Sequence, residues 1–319
     1  MFVIRIFFIF SFILMIPSYV LGQSAISFDE NGRWDCSFRA SDFPVDLNQT
    51  DSIPIPGVFF YSSTWTTEAC GDNQSGIYAY CNNEDGEGDR AFRYAVGDGI
   101  NNNSTPLTII MPAPYHPEIW IRFYIKWEEG FRWEYLTYQK IISFFTNGTM
   151  YKPMEMQWEN AMNSYARILV NGSSTTIKGP GGGWRFMYGA PNPGENHPYS
   201  DGAWHVIEHY AKMNSAIGVY DGAQSIWVDG DLIVKETAVR WDGGDEKDLD
   251  GFRRFSLALN QRTPGNASGP LGRSCSYTYY DDIVIYNQTP PNVDAHGNPF
   301  IGPLSPAPPR GLDIKIIKE

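Results

Sequence analysis

The stretch Glu118–Trp127, EIWIRFYIKW, constrains the fold more than any other part of the chain. Ile119, Ile121, Phe123 and Ile125 alternate with Trp120, Arg122, Tyr124 and Lys126. In a strand, successive side chains point to opposite sides of the sheet. One set therefore makes a core face, and the other an aromatic and basic face. Further strands are predicted over Tyr138–Phe145, Tyr165–Val170, Trp204–Met213, Gln224–Val228, Leu232–Lys235, Phe252–Leu259 and Tyr279–Tyr286. Asp229-Gly230 between two of them is a hairpin turn signal. Gly- and Pro-rich segments such as 178–183 and 189–194 suit long loops, and no long stretch carries helical periodicity. The fold class is all-β, an antiparallel sandwich. A β-helix is the rival, but no fixed-period repeat supports it.

The sandwich is expected to span residues 23–289, with an irregular N-terminal part over 29–103 that supplies decoration and first-strand material around the same core. Residues 1–22 read as a secretory signal peptide: Arg5, an apolar run over 6–16, and Val20 and Gly22 at the exit. An uncleaved membrane anchor is the competing reading. No later stretch approaches the ~20 apolar residues that span a bilayer. Seven prolines between 290 and 309 give 290–311 the composition of a solvated linker. Leu312–Lys318 then offers a short strand within a tail over 312–319, for docking on the main domain, for opening a further module or for pairing with a second copy, with a loosely attached tail as the plainer reading.

The formal charge of -12 disfavours nucleic acid and anionic membrane as partners, and a strongly polyanionic polysaccharide too unless a local basic patch overrides it. In a secreted chain Cys36, Cys70, Cys81 and Cys275 imply two disulfides with three pairings open; a Cys70–Cys81 loop with Cys36–Cys275 is preferred. Asn48, Asn73, Asn102, Asn103, Asn147, Asn171, Asn266 and Asn287 each begin a glycosylation sequon. All of this points to a secreted or cell-surface location.

The segment Asp201–Val234, DGAWHVIEHYAKMNSAIGVYDGAQSIWVDGDLIV, resembles the central hairpin region of concanavalin A-like jelly rolls. Trp204, Glu208, Lys212, Asn214, Asp221-Gly222, Trp227 and Asp229-Gly230 carry the likeness, and 281–286, DDIVIY, is similar to the group's final strand. The nearest kinds are secreted bacterial polysaccharide-lyase-like and laminin-G-like proteins. The resemblance implies the fold and a carbohydrate context more than a reaction. Neither the E-x-D-x-E pattern of jelly-roll endoglucanases nor the Q-(I/V)-H motif of alginate lyases is present: Gln139 is followed by Lys140, with no histidine after it.

The expected glycan surface is a concave groove lined by Trp120, Arg122, Tyr124 and Lys126 together with Trp204, Glu208, Tyr210 and Lys212. Aromatic rings suit sugar faces, while arginine and lysine suit hydroxyls or a uronate carboxylate. Were a uronate chain cleaved by β-elimination, Arg122, Lys126 or Lys140 would neutralise the carboxylate, and Tyr124, His209 or Tyr210 would move protons. His205 and His209 fall on the apolar side of their strand, which favours a buried pair over a metal site. A structural calcium is expected where Asp281 and Asp282 approach Asp29, and the acidic run 242–250 reads equally well as a solvated turn. The partner is thus a polysaccharide, bound or cleaved. A purely structural role, assembling copies through the C-terminal strand, is the third reading.

Overall fold

The computed structural model describes residues 25–36, 47–48, 52–60, 76–79, 90–97, 106–128, 138–148, 151–159, 163–170, 184–186, 202–258, 261–262 and 276–302. In chain order the strands are β1 (Arg33–Cys36), β2 (Leu47–Asn48), β3 (Val58–Phe60), β4 (Gly76–Ala79), β5 (Arg90–Gly97), β6 (Leu107–Ile110) and β7 (Glu118–Trp127). Then come β8 (Tyr138–Thr146), β9 (Tyr151–Glu159), β10 (Asn163–Val170), β11 (Trp184–Phe186), β12 (Trp204–Lys212), β13 (Gly222–Val228) and β14 (Asp231–Val239). The last are β15 (Phe252–Leu257), β16 (Gln261–Arg262), β17 (Ser276–Tyr286), β18 (Asn292–Val293) and β19 (Pro299–Phe300).

Two antiparallel sheets stack face to face, giving a β-sandwich of jelly-roll type. The first runs β14-β13-β12-β7-β17-β5-β4-β2, with β1 also on β17. The second runs β11-β10-β9-β8-β15-β6-β3, with β16 on β8. The alternation of β7 is realised as predicted: Ile119, Ile121, Phe123 and Ile125 are fully buried between the sheets. They meet Phe144 of β8 and Phe252 and Phe255 of β15 in one apolar cluster. Each such side chain contributes about 1.5–3 kcal/mol by leaving water. Asp229 and Gly230 both take positive φ, 51° and 91°, the geometry of the tight hairpin their sequence signals.

From the N-terminal part, β5 pairs with β17 over Phe92–Ala95 inside the first sheet. One expectation fails. The proline-rich stretch is not a solvated linker over 290–302. There β18 and β19 pair with each other, and Phe300 and Ile301 are buried. Cys70, Cys81 and Cys275, the expected signal peptide over 1–22 and the tail over 312–319 lie outside the described residues; Cys36 is buried on β1. Among the described residues no helix is long and apolar enough to cross a membrane.

Candidate functional site

The two predicted polar rows lie side by side. β12 pairs antiparallel with β7 so that Trp204 faces Lys126, Val206 faces Tyr124, Glu208 faces Arg122 and Tyr210 faces Trp120. Partners across a ladder share a face, so both rows point away from the core. β17 extends them: Tyr279 stands opposite Lys126, Asp281 opposite Tyr124, Val284 opposite Arg122 and Tyr286 opposite Trp120. On its far side Arg93 of β5 stands opposite Tyr279.

One half of this face is closed. The 290–302 segment lies across it as a strap. Trp120 donates its indole N–H to the Pro299 carbonyl at 3.2 Å, and Arg122 donates to the Gly302 carbonyl at 2.8 Å. The amides of Ile301 and Gly302 donate to the two Glu208 carboxylate oxygens at 2.5 and 3.0 Å. Trp227, opposite Glu208 on β13, donates to Asp294 at 2.9 Å. Beneath this cover Arg122 and Glu208 are each 2% exposed. Burial pushes the Glu208 carboxyl up to about 7, against the pull of the Ile301 and Gly302 amides and of Arg122. Burial also lowers the Arg122 pKa, opposed by Tyr124, Asp282 and Glu208.

The other half is less deeply covered. Trp204, Lys126, Tyr279 and Arg93 form one line across four strands, each partly exposed. At ~4.8 Å per strand spacing the line reaches about 14 Å. The Arg93 guanidinium lies 4.6 Å from the centre of the Tyr277 ring, and Tyr277 and Tyr279 are 6.4 Å apart. Tyr124, 9% exposed, stands between this line and the strap, its ring 5.5 Å from the Arg122 guanidinium. Burial raises the Tyr124 pKa, and Arg122 opposes that shift.

Several expected participants fall elsewhere. His209 points into the core, 1% exposed and edge-on to Phe144, and burial pushes its pKa down to about 3. It cannot reach the outer face. Lys140 sits on β8 in the opposite sheet. Tyr210 stacks on Trp120 at 4.7 Å and donates its hydroxyl to Glu118 at 2.6 Å, so its phenol is already engaged. Lys212 is exposed beyond it, opposite Glu118. The groove is therefore split, and only Tyr124, Lys126 and Trp204 of the predicted lining border its less covered half. Arg93 and Tyr279 were missed as lining residues. The Arg93/Tyr94 alternation on β5 was the available signal, obscured by Asn- and Gly-rich flanks.

Asp29 and Asp281 serve the backbone: Asp29 accepts from the Asn31 and Arg33 amides, and Asp281 from the Asp282 amide. In the acidic run, Asp242 binds Arg240 and Asn214, while Asp248 accepts from Thr146 and the Gly243 amide. No group of three His, Cys, Asp or Glu side chains among the described residues could hold a metal ion. Two sequon amides are engaged as well, Asn147 with Asp250 at 2.7 Å and Asn287 with His116 at 3.1 Å. The side chains of the other sequons lie outside the described residues.

No protein-family model matches the sequence, and no curated protein matches it. Solved structures with a similar chain path include the alginate lyase Aly36B, at 16% identity over 80% of this chain and 96% of that one, with a TM-score of 0.46. An endo-β-1,4-glucuronan lyase from the fungus Trichoderma reesei shares 18% identity over 68% and 89% of the two chains, with a TM-score of 0.43. A PL-14 alginate lyase from Aplysia kurodai shares 12% over 79% and 97%, with a TM-score of 0.44. The fold assignment itself rests on the strand order and register above.

Proposed function

We propose that this protein is an extracellular polysaccharide-binding jelly roll that holds an acidic glycan along Trp204, Lys126, Tyr279 and Arg93. The carrying observation is their alignment. Two cations and two aromatic rings occupy one cross-strand line on the outer face of a chain whose net charge is -12. Flat rings complement the apolar faces of sugars, and the cations complement carboxylates. The leader-like 1–22 segment accords with an extracellular partner. Binding to alginate or glucuronan should exceed binding to a neutral β-glucan and weaken with salt. Lys126→Ala with Arg93→Ala should reduce it about tenfold or more. Equal binding to the neutral polymer, unaffected by the double substitution, would falsify the proposal.

A second reading is cleavage of the same polymer by β-elimination, favoured by Tyr124 standing between Arg122 and Lys126 on one strand face. In that reaction a base removes the C5 proton, the C4–O bond breaks, and an acid protonates the departing oxygen. A phenol with a raised pKa suits the acid role, and Lys126 would neutralise the carboxylate. Rising ultraviolet absorbance from the unsaturated product, lost in Tyr124→Phe, is the expected sign of turnover. Flat traces across uronate polymers would leave binding alone.

A further inference from the structure

Resting on that binding reading, we infer that the 290–302 strap is displaceable and covers a second run of glycan subsites, Trp120, Arg122, Glu208, Tyr210 and Trp227, which a longer acidic chain occupies once it lifts. Three observations carry this. The first is what the strap offers to the sheet. Trp120 and Arg122 donate to its carbonyls, and Glu208 accepts from its amides. Sugar hydroxyls both donate and accept, so they can replace each of these contacts without a particular side chain.

The second is the chemistry underneath. Apolar packing of Ile301 on Trp120, Val284 and Tyr286 helps to hold the strap, but burying a charge costs several kcal/mol unless its bonds are complete, and that cost works against closure. Here a carboxylate and a guanidinium face each other across β12 and β7, and among the described residues the Arg122 Nε has no hydrogen-bond partner. Such a pair is well solvated only when the face is wet. Burial raises the Glu208 pKa, in keeping with a carboxylate better suited to the uncovered state.

The third is attachment. β18 and β19 pair only with each other, in a separate two-stranded sheet. So short a ladder has no stability of its own. Among the described residues no strand ladder joins it to the main sheets, so lifting it breaks none of their pairing. Among the described residues its hold is the set of polar contacts already named, the bond from Lys235 to Asn298, a contact of Phe300 with Trp227 at 6.0 Å between ring centres, and the packing of Ile301 against Trp120, Val284 and Tyr286.

Gly302 is the point at which to test it. Gly302→Pro denies the residue both its φ of +71° and its amide bond to Glu208, whereas the two main sheets do not involve it. Asp294→Ala provides an independent release by removing the acceptor of Trp227. Hydrogen exchange at Ile301 and at the peptides of β7 and β12 reads opening without any ligand. Short and long oligouronates then separate the two halves of the face. The short one should bind wild type and both variants alike. The long one should bind the variants about tenfold tighter than wild type, a gain removed by adding Arg122→Ala. Faster exchange in either variant with no gain for the long chain would overturn the inference and leave the partly exposed row standing. Unchanged exchange in both variants would overturn it too, since the strap would then be fixed. If neither length binds wild type or variants, the binding reading fails and the subsites go with it.

Discussion

Arg122 and Glu208 hold the same peptide from two strands: the Gly302 carbonyl accepts from Arg122 at 2.8 Å, and the Gly302 amide donates to Glu208 at 3.0 Å. The two side chains thus meet through the strap and not through a direct ion pair. This arrangement makes strap closure depend on the ionisation of Glu208. The charged groups facing that carboxyl are Arg122 on β7 and Asp294 on the strap. Burial opposes ionisation of Asp294, but bonds from Asn298, Trp227 and His296 hold it well below the usual carboxylate range, so it stays charged.

With the strap closed the Glu208 pKa is about 7, and in water it returns toward 4.5. A raised pKa stabilises the closed state fully below the lower value, and that stabilisation is lost as pH rises through the upper one. Opening should therefore become easier by up to about 3 kcal/mol between about pH 5 and about pH 8. Exchange of the Ile301 and Gly302 amides, corrected for intrinsic rates, should quicken over that window. In Glu208→Gln it should lose this pH dependence.

The core makes a simpler demand. Phe144 is 1% exposed and meets Trp241, Phe252 and Phe255 at ring-centre distances of 5.7, 5.6 and 5.0 Å. Phe144→Ala should lower unfolding stability by about 3–5 kcal/mol in urea titration, through lost transfer energy and the cavity left behind. Lys212→Ala, at an exposed position, should stay within about 0.5 kcal/mol of wild type.

The β13–β14 turn depends on Asp229 in two ways. Its φ of 51° suits Asp or Asn better than Ala. Its carboxylate also accepts from the Val206 amide and contacts the His205 ring, each at 2.8 Å. Asp229→Ala should cost about 1–2 kcal/mol, and Asp229→Asn less than half of that. A similar loss from both would show that the backbone conformation contributes nothing.

Much of the sandwich was legible because the β7 and β12 sequences alternate between core-facing and outer positions, and Asp229-Gly230 announces its turn; β17 alternates on either side of a bulge at Asp281-Asp282. β9 was missed because Pro153 and the charged Lys152 and Glu155 break the apolar pattern expected of an inner strand. The strap was illegible for a different reason. Local composition around Pro290, Pro291 and Pro299 describes solvated chain, whereas what fixes it are Glu208, Arg122 and Trp227, distant in sequence. The outer rows could be assigned to one face from alternation alone. Which half is less deeply covered depends on where the strap lies, and no local pattern encodes that.

Asp242 shows how an acidic run can serve as internal structure. It is 2% exposed and accepts from Arg240 Nε and Nη2 at 3.0 Å each, from Asn214 at 2.8 Å and from the Gly218 and Gly244 amides at 3.2 and 3.0 Å. Burial raises its pKa, but these donors, Arg240 foremost, outweigh that and leave it below 3.8. A depressed carboxylate stabilises the fold above its ordinary pKa and loses that contribution as pH falls through the folded value. Asp242→Asn keeps the shape but gives up the two-pronged acceptor for Arg240. It should lower neutral-pH stability by about 2–4 kcal/mol. It should also reduce the additional loss on acidification below about pH 4. Thermal unfolding midpoints across that range measure both effects, and parallel curves for the two proteins would show that Asp242 does not carry the acid sensitivity.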